Sequence, residues 1–165
     1  MTDTYNILAD RIDEVHPELL QEIEIDDLPK GKAEYFDLGS FIETLPKDQA
    51  KGWNQYYIWI RTDHEEYSDP EISSATLAHE YGHFLCRTIL YPMLFWLGQY
   101  MLHKVGTRPL YTITNDFMTN LVMVVDELLA WVLGWGVLFQ MSALKWHHIK
   151  HGFDCWKTYW WRLKP

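Results

Sequence analysis

His79-Glu80-Tyr81-Gly82-His83 is the stretch of this chain whose residue types and spacing can do chemistry. Residues four apart lie one above the other on a helix, so His79 and His83 can present two imidazoles to one ion. Glu80 is turned about 100° from His79 at 3.6 residues per turn, which keeps it out of the ligand set but within reach of a water beside the ion. Imidazoles suit zinc, which makes water acidic enough to lose a proton near neutral pH, and a nearby carboxylate can accept that proton. The pattern predicts Zn2+ as cofactor, His79 and His83 as metal ligands and Glu80 as the catalytic base.

A catalytic zinc needs a third protein ligand. The longer metzincin motif puts a glycine and a histidine three and six residues after the second histidine, and this chain has Cys86 and Ile89 there. A carboxylate from a later helix is the other solution. Residues 81–165 hold 4 acids against 8 bases, and Glu127 is their one glutamate. It lies within LVMVVDELLAWVLGWGVLF, where an acid is costly unless it is paired or bound to a metal. Glu127 is therefore the expected third ligand. Asp126 competes with it but points about 100° away, where it can orient a ligand histidine or pair with Arg87.

These residues need elements to hold them. Asp69 as N-cap, Pro70 at the first position and Glu71 behind it predict a helix that carries the motif until Pro92 breaks or kinks it. Gly82 costs up to ~1 kcal/mol in a helix interior, which close approach of the metal or of a neighbouring element would explain. A second long helix is expected over Asn115–Gln140. The aromatic, β-branched run Asn54–Arg61 predicts a strand with Tyr56, Ile58 and Ile60 on one face. Ile7, Leu8, Ile12, Val15, Leu19, Leu20 and Ile23 fit an amphipathic helix ending before Leu28-Pro29-Lys30-Gly31. Ala33–Leu38 and Gly39–Leu45 fit a strand and a helical turn.

The strand, the TLAHEYGHFL helix and a later helix with Glu127 and Ala130 three apart resemble the ImmA/IrrE-type minimal gluzincins, over about residues 54–134. Ala130, Leu133 and Gly134 match small and apolar positions after that family's ligand glutamate, while Trp131 stands where its members usually carry Asn. The resemblance implies an α+β, zincin-like fold with a small N-terminal sheet packed on a mainly helical part. It also implies a cytoplasmic zinc metallopeptidase, a hydrolase of gluzincin type acting on a protein or peptide substrate, often a regulatory protein. His79, Glu80, His83 and Glu127 carry over. By analogy with similar enzymes, the strand at Asn54–Arg61 is expected to hold an extended substrate by strand addition.

Length and composition frame the same reading. The chain's 165 residues, 48% of them hydrophobic, fit a single domain over 1–165, with an acidic region at 1–53, the catalytic elements at 54–140 and a Trp/His/basic tail at 141–165. The net charge of −9 argues against a nucleic-acid binder, and two cysteines make no disulfide framework. Residues 1–10 carry no secretory signal pattern. Phe84–Leu102 and Leu121–Phe139 each approach the ~20 residues that cross a bilayer, so a membrane-associated peptidase resembling the HtpX-like group is the alternative. Against it stand Arg87, Pro92, Gln99, Asp126 and Glu127; in a small zincin the two segments would be core helices. A third reading is a zincin fold without catalysis, for which Glu80 would have no use. Tyr111, His147, His148 and His151 are candidates for stabilising an oxyanion. Cys86 reads as a small core residue, and the tail tryptophans as packing over the catalytic helices with basic side chains reaching outward.

Overall fold

The computed structural model describes residues 4–24, 26, 38–43, 56–94, 96–97 and 116–163. Helix α1 covers Thr4–Val15, burying Tyr5, Leu8 and Ile12 at spacings of three and four. The helix is shorter than expected, because Leu20–Ile23 form strand β1. Strand β2 is Gly39–Glu43, where a helical turn was expected, and β3 is Tyr56–Arg61. Residues 33–37 and 54–55 lie outside the described set. In the sheet, β3 is central, parallel to β1 and antiparallel to β2. Ile58 and Ile60 are wholly buried, each worth about 1.5–3 kcal/mol of apolar transfer. Both hydrogen-bonding edges of β3 are occupied, so this strand cannot take a substrate by strand addition. Among the described residues the sheet's two unpaired edges belong to β1 and β2, and β2 is the one that borders the site described below.

Helix α2 covers Pro70–Leu85 and starts as the sequence predicts: the Asp69 carboxylate accepts from the backbone N–H groups of Glu71 and Ile72, and Pro70 stands in the first turn. At Pro92 the helical path neither breaks nor ends. A π-helical turn over Cys86–Leu90 precedes it, with Tyr91 N–H reaching back to the Cys86 carbonyl. Proline lacks an N–H and crowds the carbonyl four residues back, and a widened turn relieves both problems. Within and just after that turn Ile89, Met93, Leu94, Trp96 and Leu97 are exposed, so the described part of this segment is not the core helix expected for a small zincin.

Helix α3 is Asp116–Gln140 and packs antiparallel along α2. The register follows from small residues. A Cβ on Gly82 would meet the Ala130 carbonyl oxygen at 2.0 Å, and one on Gly134 would meet that of Ala78 at 2.4 Å. The two glycines let the helix backbones touch at points one turn apart, so the neighbouring element accounts for Gly82. The most apolar 18-residue window within Asn120–Gln140 has mean hydropathy 1.9, yet only 28% of it is buried.

Helix α4, Trp146–Lys157, closes the structure and is followed by a 3₁₀ turn over Thr158–Leu163. It docks through buried His148, whose Nδ1 accepts from Lys145 N–H at 3.1 Å and whose Nε2–H faces Ser74 Oγ at 3.3 Å. The Trp156 indole N–H donates to the Val124 carbonyl on α3, whereas Trp146 and Trp160 are exposed. The tail tryptophans therefore divide between packing and surface.

Burial first, then the charges of His147 and Lys145, hold the His148 imidazole down at about 4 instead of 6.5. The unfolded chain takes up this proton near pH 6.5 and the folded chain only near 4. The stabilisation is complete above 6.5 and falls through that interval by about 3 kcal/mol. Urea unfolding of metal-free protein should show this loss between pH 6.5 and 4, and His148→Gln should lack it. Equal pH slopes for the two proteins would refute the assignment.

Candidate metal centre

Four elements meet at the centre. Helix α2 presents His79 and His83 on one face, α3 presents Glu127 through the glycine-spaced crossing, β2 lies alongside, and α4 covers the opposite side. The His79 Nε2 to Glu127 Oε2 distance is 3.3 Å, and that from His83 Nε2 is 3.7 Å. One ligand atom from each of His79, His83 and Glu127 lies within 4.8 Å of the others. Ligands about 2.0–2.1 Å from a tetrahedral ion sit ~3.4 Å apart, so the two measured spacings fit an ion at their centre. The group can hold a metal ion. Glu80 is buried beside it and outside the ligand group, as its turn of the helix requires.

Electrostatics favour a charged partner here. Burial opposes the charge on His83, but the facing carboxylates of Asp126 and Glu127 and the charge of Glu80 outweigh it and hold the imidazole well above its usual value. Burial likewise opposes the Glu127 charge, and His79 and His83 overcome it and hold the carboxyl below its usual range. An ion replacing the shared proton meets ligands already biased toward a positive charge.

Surrounding residues fix the ligands. Asp126 Oδ2 faces His83 Nδ1 at 3.6 Å, while the Tyr91 hydroxyl donates to Asp126 Oδ1. Asp126 thus faces the His83 nitrogen turned away from Glu127 and stands outside the group that could hold an ion. His79 Nδ1 is buried without a hydrogen-bond partner among the described residues. Its ring is held instead by the Trp131 indole, stacked 4.1 Å away at an interplanar angle of 24°. Cys86 is fully buried, as expected of a core residue.

Two clefts flank the centre. One, of about 300 Å³, places His79, Glu80 and Glu127 opposite His151, Cys155 and Tyr159 of the C-terminal segment. The other, of about 380 Å³, runs from Gly39, Ser40 and Phe41 of β2 past His83 to Arg87, and Tyr159 borders it as well. Of the tail histidines, His151 lies at the site. His148 anchors α4, and His147 faces Glu71 at 3.2 Å near the start of α2. Tyr111 lies outside the described residues. Tyr159 and Tyr91 were not anticipated; the only sequence signal for Tyr159 was its place eight residues after His151, near the same helix face. Compared with known proteins, the chain matches no family model, no curated protein and no solved structure.

Proposed function

We propose that this protein is a zinc-dependent peptidase of gluzincin type, a zincin-like unit resembling the ImmA/IrrE-type proteins and working in the cytoplasm on a protein or peptide substrate. One observation carries the reading: three metal-ligating side chains converge within 4.8 Å while Glu80 lines the same cleft and is excluded from the ligand group. A closed structural site would have no use for that extra carboxylate.

His79, His83 and Glu127 would hold zinc. When bound, the ion supplies Lewis acidity and brings the pKa of water down towards ~7. Glu80 accepts a proton at its carboxylate and later gives it to the leaving amine. His151 and Tyr159 line the opposite wall, where a carbonyl oxygen gaining charge would need a donor. An extended peptide adds to the open edge of β2, whose Gly39, Ser40 and Phe41 border the cleft.

The purified protein should carry about one zinc per chain, removable by a chelator with loss of thermal stability, because stripping the ion leaves buried polar groups facing one another. Cleavage of a labelled unfolded protein should stop with chelation and return with zinc. Less than half an equivalent of metal after zinc addition would overturn the reading.

A second reading, a membrane-associated peptidase resembling the HtpX-like group, is favoured by the outer face of α3. Val122, Val125, Val132 and Phe139 are exposed there at near-helical spacing. Recovery only in the membrane fraction would select this version, and recovery without detergent would reject it.

A further inference from the structure

Arg87 is the one lysine or arginine among the described residues lining the cleft between β2 and the metal centre, where Glu80, Asp126 and Glu127 supply three acids. It stands one turn after His83, about 6 Å along the axis. Against the cost of burial, the charge of Arg87 helps hold the Asp126 carboxyl down from a distance, but the two make no direct ion pair. One Asp126 oxygen takes the Tyr91 hydroxyl and the other faces His83. Among the described residues no carboxylate lies within ion-pair distance of Arg87. Its guanidinium rests instead over the Tyr91 ring, 5.4 Å from the centroid. Stacking on a ring steadies the plane of an arginine while leaving its N–H groups available.

We infer that Arg87 is a specificity-determining residue that binds a carboxylate of the substrate close to the scissile bond. This inference rests on the peptidase reading above. A peptide lying extended along β2 advances about 3.3 Å per residue, so the guanidinium meets it within about two residues of the metal centre. A planar fork of donors matches a carboxylate with two parallel hydrogen bonds, which an amide cannot reciprocate. Among the described side chains of this cleft, Arg87 is the one fixed cation that can pair with a substrate carboxylate away from the ligand group. The carboxylate is that of an Asp or Glu side chain or of a free C-terminus.

Three mixed-sequence peptide libraries test the inference on the zinc-loaded protein, with products read by mass spectrometry. One contains Glu and has amidated C-termini, one replaces Glu by Gln and has free C-termini, and one has Gln with amidated C-termini. The first or the second should be cut about 10- to 100-fold faster than the third, at bonds within about two residues of the carboxylate. Whichever library leads identifies the source. Arg87→Gln should bring the ratio close to one, and Arg87→Lys should retain part of it. Calorimetry with zinc-loaded Glu80→Gln should show the preferred peptide binding more tightly than its amide counterpart. Cleavage with no carboxylate preference, or with a preference that survives Arg87→Gln, would overturn the inference and leave the peptidase reading standing. Neither cleavage nor binding in any library would overturn both.

Discussion

Glu80→Gln should keep the fold and the metal while losing about 10²–10⁴-fold in turnover, whereas Glu127→Ala should lose the metal itself. The two acids lie in the same cleft, but only Glu127 belongs to the ligand group. Gln at position 80 preserves the volume and removes the proton acceptor. Ala at position 127 removes one donor of three and leaves His79 and His83 facing a gap. Asp126→Ala is the comparison: Asp126 faces His83 Nδ1 outside the ligand group, and loss of such a partner should cost about 10–100-fold in affinity or activity. Competition with a chromogenic chelator measures the three affinities, and the labelled unfolded protein measures turnover. Intact binding in Glu127→Ala with lost binding in Asp126→Ala would put the ligand one helix position earlier. Loss of metal in Glu80→Gln would mean that Glu80 is itself a ligand.

Gly82→Ala tests the crossing that brings Glu127 to the histidines. In an exposed helix this change is favourable by up to ~1 kcal/mol. Here the added methyl would lie 2.0 Å from the Ala130 carbonyl oxygen and 2.8 Å from its carbon. Both are backbone atoms, so no side chain can swing away and the helices must separate. Overpacking of this kind costs about 1–3 kcal/mol and at times more, so the clash outweighs the propensity gain. Separation also carries Glu127 away from the imidazoles, so metal affinity should fall with stability. Gly136→Ala is the control, since nothing lies within 4 Å of its added Cβ. It should raise the melting temperature by up to about 2–4 °C, and Gly82→Ala should lower it by up to about 8 °C. A stabilised Gly82→Ala with unchanged metal affinity would show that the helices are not in this contact.

The parts of the site that were legible in the sequence are the parts decided locally. The spacing of His79 and His83 is helix geometry, and Asp69 with Pro70 fixes where that helix begins. Glu127 stood out because an acid inside an apolar helix needs a partner. Tertiary contacts decided the rest. Leu19, Leu20 and Ile23 suit a helical face and a strand about equally, and pairing with β3 settles the matter in favour of the strand. The preference for His151 over its neighbours depends on how α4 is rotated, which the buried contact between His148 and Ser74 sets. The central place of β3 depends on two partners that come earlier in the chain, so the strand easiest to read is the one with no edge to offer.

The outer edge of β2, unpaired among the described residues, has a cost separate from any substrate it would hold. A row of unpaired backbone N–H and C=O groups is a template for any extended chain, including β2 of a second copy. Self-pairing would seat one molecule in the groove of another and lay the first step of a β-aggregate. Shortness is the available defence, and β2 has five residues. A strand that short gives a transient peptide enough hydrogen bonds to align it and gives another copy too few to remain.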